Sequence, residues 1–178
     1  VVLVFSAIIH EYMHGWMADR LGDPTAKNLG RLTLNPIPHI DLFGSILLPA
    51  LLVITNAGFV FGWAKPVPYN PYNLRDQKYG GAKVAAAGPL GNFITALFFG
   101  LILRFFPLAP QLEIFLQLIV FINLLLMVFN LVPIPPLGGG RSAVGLLAPA
   151  RAWKFARFER LGFVVQAALM FAGGVDLI

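Results

Sequence analysis

The chain has 178 residues, 58% hydrophobic and only 12% charged, with a mean hydropathy of +0.78. A soluble domain carries about twice that charge fraction, so composition excludes an ordinary water-soluble globule and points to packed membrane helices in one domain, 1–178. Without cysteine there is neither a disulfide framework nor a thiolate metal site. The net charge of +5 does not argue for nucleic acid, because the basic residues fall between apolar runs, where anionic headgroups are the simpler partner.

Residues 1–17 read as part of a spanning helix that ends near Asp19 and Arg20, with Gly22 and Pro24 as its stop. Inside it stands His10-Glu11-Tyr12-Met13-His14, an H-E-x-x-H pattern. On a helix these two histidines lie one turn apart on one face, so their ring nitrogens can share a metal ion. Glu11 sits beside them as a candidate general base. The competing reading is three polar residues satisfied inside a helical bundle. An unpaired ionisable group at membrane depth costs roughly 2.5–3.5 kcal/mol, which favours the functional reading. Histidine, carboxylate and water are the ligands left for a zinc-like ion.

Residues 25–38 alternate, as in Gly30-Arg31-Leu32-Thr33-Leu34-Asn35-Pro36, which predicts a short extended segment at the membrane surface. Residues 42–60 are nearly long enough to span, but Gly44, Pro49, Asn56 and Gly58 interrupt them. Pro66, Pro68 and Pro71 then impose an extended strip beginning at Phe61-Gly62-Trp63. Residues 81–106 predict a span whose Ala87-Gly88-Pro89-Leu90-Gly91-Asn92 lets a neighbouring helix approach closely. A turn at 107–110 leads to another span over 112–131. Pro133, Pro135, Pro136 and Gly138-Gly139-Gly140 break that helix. Residues 150–162 set Trp153, Phe155, Phe158 and Leu161 among four basic residues, an interfacial amphipathic pattern. Residues 163–178 are too short to span alone. The missing initiator Met and the apolar start at Val1 point to a chain trimmed at both ends.

Basic residues decide the expected topology. If 42–60 crossed the bilayer, the basic groups flanking it would lie on opposite sides. If it dips in and returns, twelve of the thirteen Lys and Arg face the cytoplasm and only Arg104 is left across. The expectation is therefore an all-α polytopic bundle with a re-entrant or broken hairpin lining a cavity and short extended segments at the membrane surface. His10 and His14 precede Arg20 by six to ten residues, which places them roughly 9–15 Å inside the cytoplasmic boundary. The site then opens toward the cytoplasmic side of the cell membrane, where a hydrolase finds its water.

Taken together, these motifs resemble the site-2 proteases, intramembrane zinc metalloproteases, over essentially the whole chain. The resemblance rests on the H-E-x-x-H, residues 30–36, His39-Ile40-Asp41, residues 61–68, Ala87-Gly88-Pro89 and residues 130–137. Too few residues separate the first helix from Gly81 for a PDZ insert, so the chain resembles the compact prokaryotic kind. The resemblance implies that His10 and His14 bind zinc, that Glu11 activates water and returns its proton to the leaving amine, and that Asn130 donates to the developing oxyanion or bonds the re-entrant backbone. Asn92 and Asn123 are read as mainly structural, and His39 as either a partner of Asp41 or a surface histidine. The Pro66-Val67-Pro68 strip is a candidate to hold an unwound substrate as an added strand, although its prolines offer few N–H donors.

One position departs from the family pattern. Its second motif reads N-x-x-P-x-x-P-L-D-G, and the Asp is the third protein ligand; this chain has Gly138 there. Asp41 and Asp176 are substitutes only in principle. Gly138 is either a natural variant that has lost activity or a change in an otherwise active enzyme, and the intact remainder favours the second. The leading function is thus a zinc endopeptidase acting on single-span membrane proteins, weakened by Gly138. The alternatives are an inactive pseudoprotease that binds transmembrane segments and a metal-dependent transporter, the latter opposed by the lack of matching broken helices in two halves.

Overall fold

A computed structural model describes residues 1–58 and 64–131. Among these residues regular structure is entirely helical, with no strand. Five α-helices follow one another: α1 (Val2–Arg20), α2 (Thr25–Asn28), α3 (Leu48–Ile54), α4 (Gly80–Phe105) and α5 (Pro110–Leu131). Helices α1, α4 and α5 pack against one another in all three pairings. Phe61-Gly62-Trp63, the Pro-Gly break with Gly138, the amphipathic stretch at 150–162 and Asp176 lie outside the described residues.

Helices α4 and α5 are long and apolar enough to cross a membrane. Their surfaces are distributed as lipid contact requires. The buried face of α4 is mostly small residues, among them Ala85, Ala87, Gly88, Gly91 and Ala96, alongside Val84, Pro89 and Asn92, whereas Phe93, Ile94, Leu97, Phe98 and Leu101 are exposed. Of α5, only Leu116 and Asn123 are buried. Small residues facing in and large apolar residues facing out invert the soluble pattern, because lipid tails solvate Leu and Phe as well as a protein core does.

Helix α1 ends as its sequence predicts. Gly22 adopts φ +109°, and a Cβ there would meet the Asn73 carbonyl at 3.2 Å and Arg75 Cγ at 3.1 Å. Glycine is needed on both counts. The extended segment expected over 25–38 does not form. Ala26 is fully buried against α1, and residues 25–28 close a helical turn beneath it. Beyond it, Thr33 Oγ1 accepts from Asn35 N–H and Asn35 Oδ1 from Ile37 N–H. Such local side-chain bonds compete with a ladder, and a single 3-10 turn (Ile37–His39) follows.

The interrupted segment after Asp41 is helical but broken. A π-helical turn (Leu42–Leu47) of six residues runs into the seven residues of α3. Pro49, at the start of α3, has no N–H to give to the preceding turn, and a local change of helical register accommodates that. Asn56 at φ +49° follows its end. At 1.5 Å per residue the whole stretch rises about 20 Å, short of a hydrocarbon core about 30 Å thick.

The loops are tied together by Asp23, which is fully buried. Its carboxylate accepts from the Thr25 hydroxyl (2.5 Å), Asn70 N–H (2.6 Å), Asn73 Nδ2 (2.8 Å) and Thr25 N–H (3.2 Å). Burial by itself raises the pKa, but the bonds from Thr25, Asn73 and Asn70 together outweigh it and hold Asp23 below its ordinary 3.8. A depressed folded-state pKa contributes stability that is full well above 3.8 and is lost as pH falls through it toward the folded value. Asp23→Ala should therefore lower unfolding stability by about 2–3 kcal/mol at neutral pH. Chemical unfolding in detergent, repeated down to acid pH, should show native and variant stabilities converging below about pH 4.

Candidate metal and catalytic site

The site is built where α1 crosses α4. The glycines of α4 let the two backbones approach: a Cβ on Gly91 would strike Met13 Cγ at 2.5 Å. Gly88 has a different neighbour. A Cβ there would lie 2.5 Å from His14 Nε2 and 2.6 Å from His10 Nε2. Both imidazoles of the H-E-x-x-H thus aim their Nε2 atoms at one small opening that exists only because residue 88 has no side chain.

Each histidine is oriented by its other nitrogen. His10 Nδ1–H donates to Asn92 Oδ1 at 2.5 Å, and His14 Nδ1–H donates to the Val84 carbonyl at 2.7 Å. Both partners lie on α4. The ring centroids are 4.6 Å apart and the planes nearly perpendicular, at 87°. With Nδ1 carrying the proton, each Nε2 presents a lone pair to the opening. Both Nε2 atoms face the space beside Gly88, where a metal ion with zinc–nitrogen bonds of about 2.0–2.1 Å would be held by the two rings. Among the described residues no third His, Cys, Asp or Glu joins them as a group. Gly138, which the family resemblance puts at the third-ligand position, lies outside those residues.

Glu11 lies on the same helix and accepts Val67 N–H at 2.7 Å through Oε2. Val67 belongs to the proline strip, which is clamped along its length. Lys65 N–H donates to the His39 carbonyl at 2.9 Å, and Arg31 Nη2 donates to the Lys65 carbonyl at 2.7 Å and the Pro66 carbonyl at 3.3 Å. The N–H groups of Lys65 and Val67 are therefore both engaged, and Pro66 and Pro68 have none. In this arrangement that part of the strip has no donor left for an added strand.

Other residues singled out from sequence fall elsewhere. Asp41 caps the π-helical turn, accepting Gly44 N–H at 2.6 Å, which is a structural role and not a ligand's. His39 is 1% exposed and bonds the Thr33 carbonyl at 2.9 Å through Nε2, so it is neither a surface histidine nor a partner of Asp41. Asn130, near the end of α5, donates to the Leu126 carbonyl of its own helix at 2.9 Å. Asn92, read from sequence as mainly structural, touches a candidate ligand directly. The available signal was an amide inside an apolar helix, which is functional more often than not. Nothing in the sequence could mark the Val84 carbonyl.

No solved structure matches the chain. YwhC of Bacillus subtilis (strain 168), which bears the name of a candidate zinc metalloprotease, is 39% identical over 178 residues, covering 95% of this chain and 78% of that protein. Rip2 of Mycolicibacterium smegmatis (strain ATCC 700084 / mc(2)155), named in the same way, is 30% identical over 177 residues, covering 97% of this chain and 66% of its own length. The sequence profile described as Peptidase family M50 matches residues 108–173. With those motifs, that geometry and these relatives, the chain belongs to peptidase family M50, the site-2 protease family.

Proposed function

We propose that this chain is a zinc metalloendopeptidase that hydrolyses peptide bonds within or near the transmembrane segments of single-span membrane proteins. The observation that carries this reading is the convergence of His10 Nε2 and His14 Nε2 on the opening at Gly88, with Glu11 on the same helix. Zinc, when bound, supplies Lewis-acid polarisation of the scissile carbonyl and makes water more acidic. His10 and His14 would hold it through Nε2. Glu11, kept in place by Val67 N–H, takes a proton from water and passes it to the leaving amine. Asn130 stabilises the developing oxyanion with the amide hydrogen not directed at Leu126.

The bilayer setting extends the same reading. The chain is a multi-pass protein of the cell membrane, with the site toward the cytoplasm, supported by the Lys and Arg asymmetry. The broken stretch Leu42–Ile54 dips into the bilayer and returns, supported by its short rise and its Asp41 cap. A second reading rests on Gly138, which brings no side chain to the third-ligand position. On that reading the fold captures transmembrane segments without cutting them.

Two substitutions test these statements. Gly88→Ala adds one methyl within 2.6 Å of both Nε2 atoms, which displaces the rings that would hold the metal, while alanine itself favours the helix. It should lower zinc affinity by more than about 100-fold while helix content by circular dichroism is unchanged. Unaltered zinc binding would place the metal elsewhere. Gly138→Asp should raise both bound zinc and cleavage of a single-span substrate at least tenfold over the native chain, by roughly the worth of one ligand. If neither protein binds zinc or cuts, the binding-protein reading replaces the protease.

A further inference from the structure

Four buried polar groups run in a line through the packed helices. Ser6 is 3% exposed, His10 7%, and Asn92 and Asn123 are fully buried. They come from α1, α4 and α5, so the line joins all three. Asn123 Nδ2 donates to Ser6 Oγ and to the Ile119 carbonyl, both at 2.9 Å. Asn92 Nδ2 donates to Asn123 Oδ1 at 2.8 Å and to the Ser6 carbonyl at 3.1 Å. Asn92 Oδ1 then faces His10 Nδ1.

This line has one permitted direction. A carbonyl can only accept, so the Ile119 carbonyl obliges Asn123 to turn its amide nitrogen that way and its oxygen toward Asn92. Asn92 must answer that oxygen, and the Ser6 carbonyl, with its own two amide hydrogens. Flipping Asn92 would set its oxygen against two acceptors, and flipping Asn123 would set oxygen against the Ile119 carbonyl. Only an amide oxygen is left for His10, so Nδ1 must carry a proton, and in the neutral ring Nε2 keeps the lone pair. An amide pair serving only as interhelical glue would have no need to end on a ring nitrogen. His14 obtains the same tautomer from a single backbone carbonyl, whereas His10 obtains it by relay.

We infer that Asn92 and Asn123 are positioning residues that fix the tautomer of His10 from the fifth helix inward, so that its Nε2 is ready for a metal ion before one arrives. The inference rests on the proposed metal-binding role of His10, but its first readout needs no metal. In metal-free, histidine-15N-labelled native protein in detergent, the His10 resonances should show a protonated Nδ1 and an unprotonated Nε2. Asn92→Leu should mix the two tautomers at His10 and leave His14 unchanged, and should weaken Zn2+ binding roughly 10–100-fold. Asn123→Ala should mix the His10 tautomers less and weaken Zn2+ binding less. Ser6→Ala is the control: it removes one acceptor but keeps the Ile119 carbonyl, so it should lower stability without changing the tautomer, and Zn2+ affinity should stay within about twofold. A native His10 protonated on Nε2 overturns the inference, whether or not any variant folds. So does a loss of Zn2+ affinity in Ser6→Ala equal to that in Asn92→Leu, since affinity would then follow stability alone. A native chain that shows the expected tautomer, mixed by Asn92→Leu, but binds no Zn2+, leaves the relay standing and removes the zinc reading instead.

Discussion

The close approach of α1 and α4 is the constraint on which the site depends. Gly91 admits Met13, and Gly88 leaves the gap into which His10 and His14 point. Wider spacing would lengthen the bonds from His10 to Asn92 and from His14 to the Val84 carbonyl, which now lie at 2.5 Å and 2.7 Å. A hydrogen bond weakens steeply beyond its normal length, so histidine orientation and helix packing are one problem here. In lipid, hydrophobicity does not press helices together, and close van der Waals contact with interhelical hydrogen bonds must do it. The same residues that shape the candidate metal site therefore also help hold the helices.

A second constraint is that a polar site in an apolar bundle must satisfy its own atoms. The donors and acceptors around the histidines are almost fully matched: Nδ1 of each ring has an acceptor, and the two asparagines use both amide hydrogens and their oxygens. Glu11 takes a backbone N–H from a strip whose prolines leave few to give. An unmatched amide at this depth would cost as much as a core cavity does in a soluble protein. Matching the network fixes rotamers and tautomers at the same time, which is the preparation a metal site needs.

Much of this was readable from the sequence, for reasons that are local. The H-E-x-x-H announces a shared helix face by its spacing, Gly22 and Pro24 announce the end of α1, and residues 81–106 announce α4 by length and apolarity, each within a residue or two of Val2–Arg20 and Gly80–Phe105. What escaped depends on distance along the chain. His10 and Asn92 are 82 positions apart, Ser6 and Asn123 are 117 apart, and no periodicity relates them. Gly88 reads as a packing glycine because its one-dimensional neighbours are Ala87 and Pro89; only the crossing of α1 shows that imidazole, not a helix backbone, fills its space. The alternation over 25–38 misled because Thr33 and Asn35 bond their own backbone.

The position of the orienting groups also bears on Gly138. Asn92 and the Val84 carbonyl, which aim the two rings, both belong to α4, and Asn92 is held in turn by α1 and α5. Those bonds are all made among residues of α1, α4 and α5. A carboxylate or a glycine at position 138 would therefore change a proposed ligand and its charge, not the groups on α4 that orient the two imidazoles. A site whose ligands were mutually dependent would be expected to lose its order when one is lost. Here each histidine is fixed by its own partner on α4, so on the proposed reading the cost of a missing third ligand would fall on metal affinity rather than on the direction of the imidazoles.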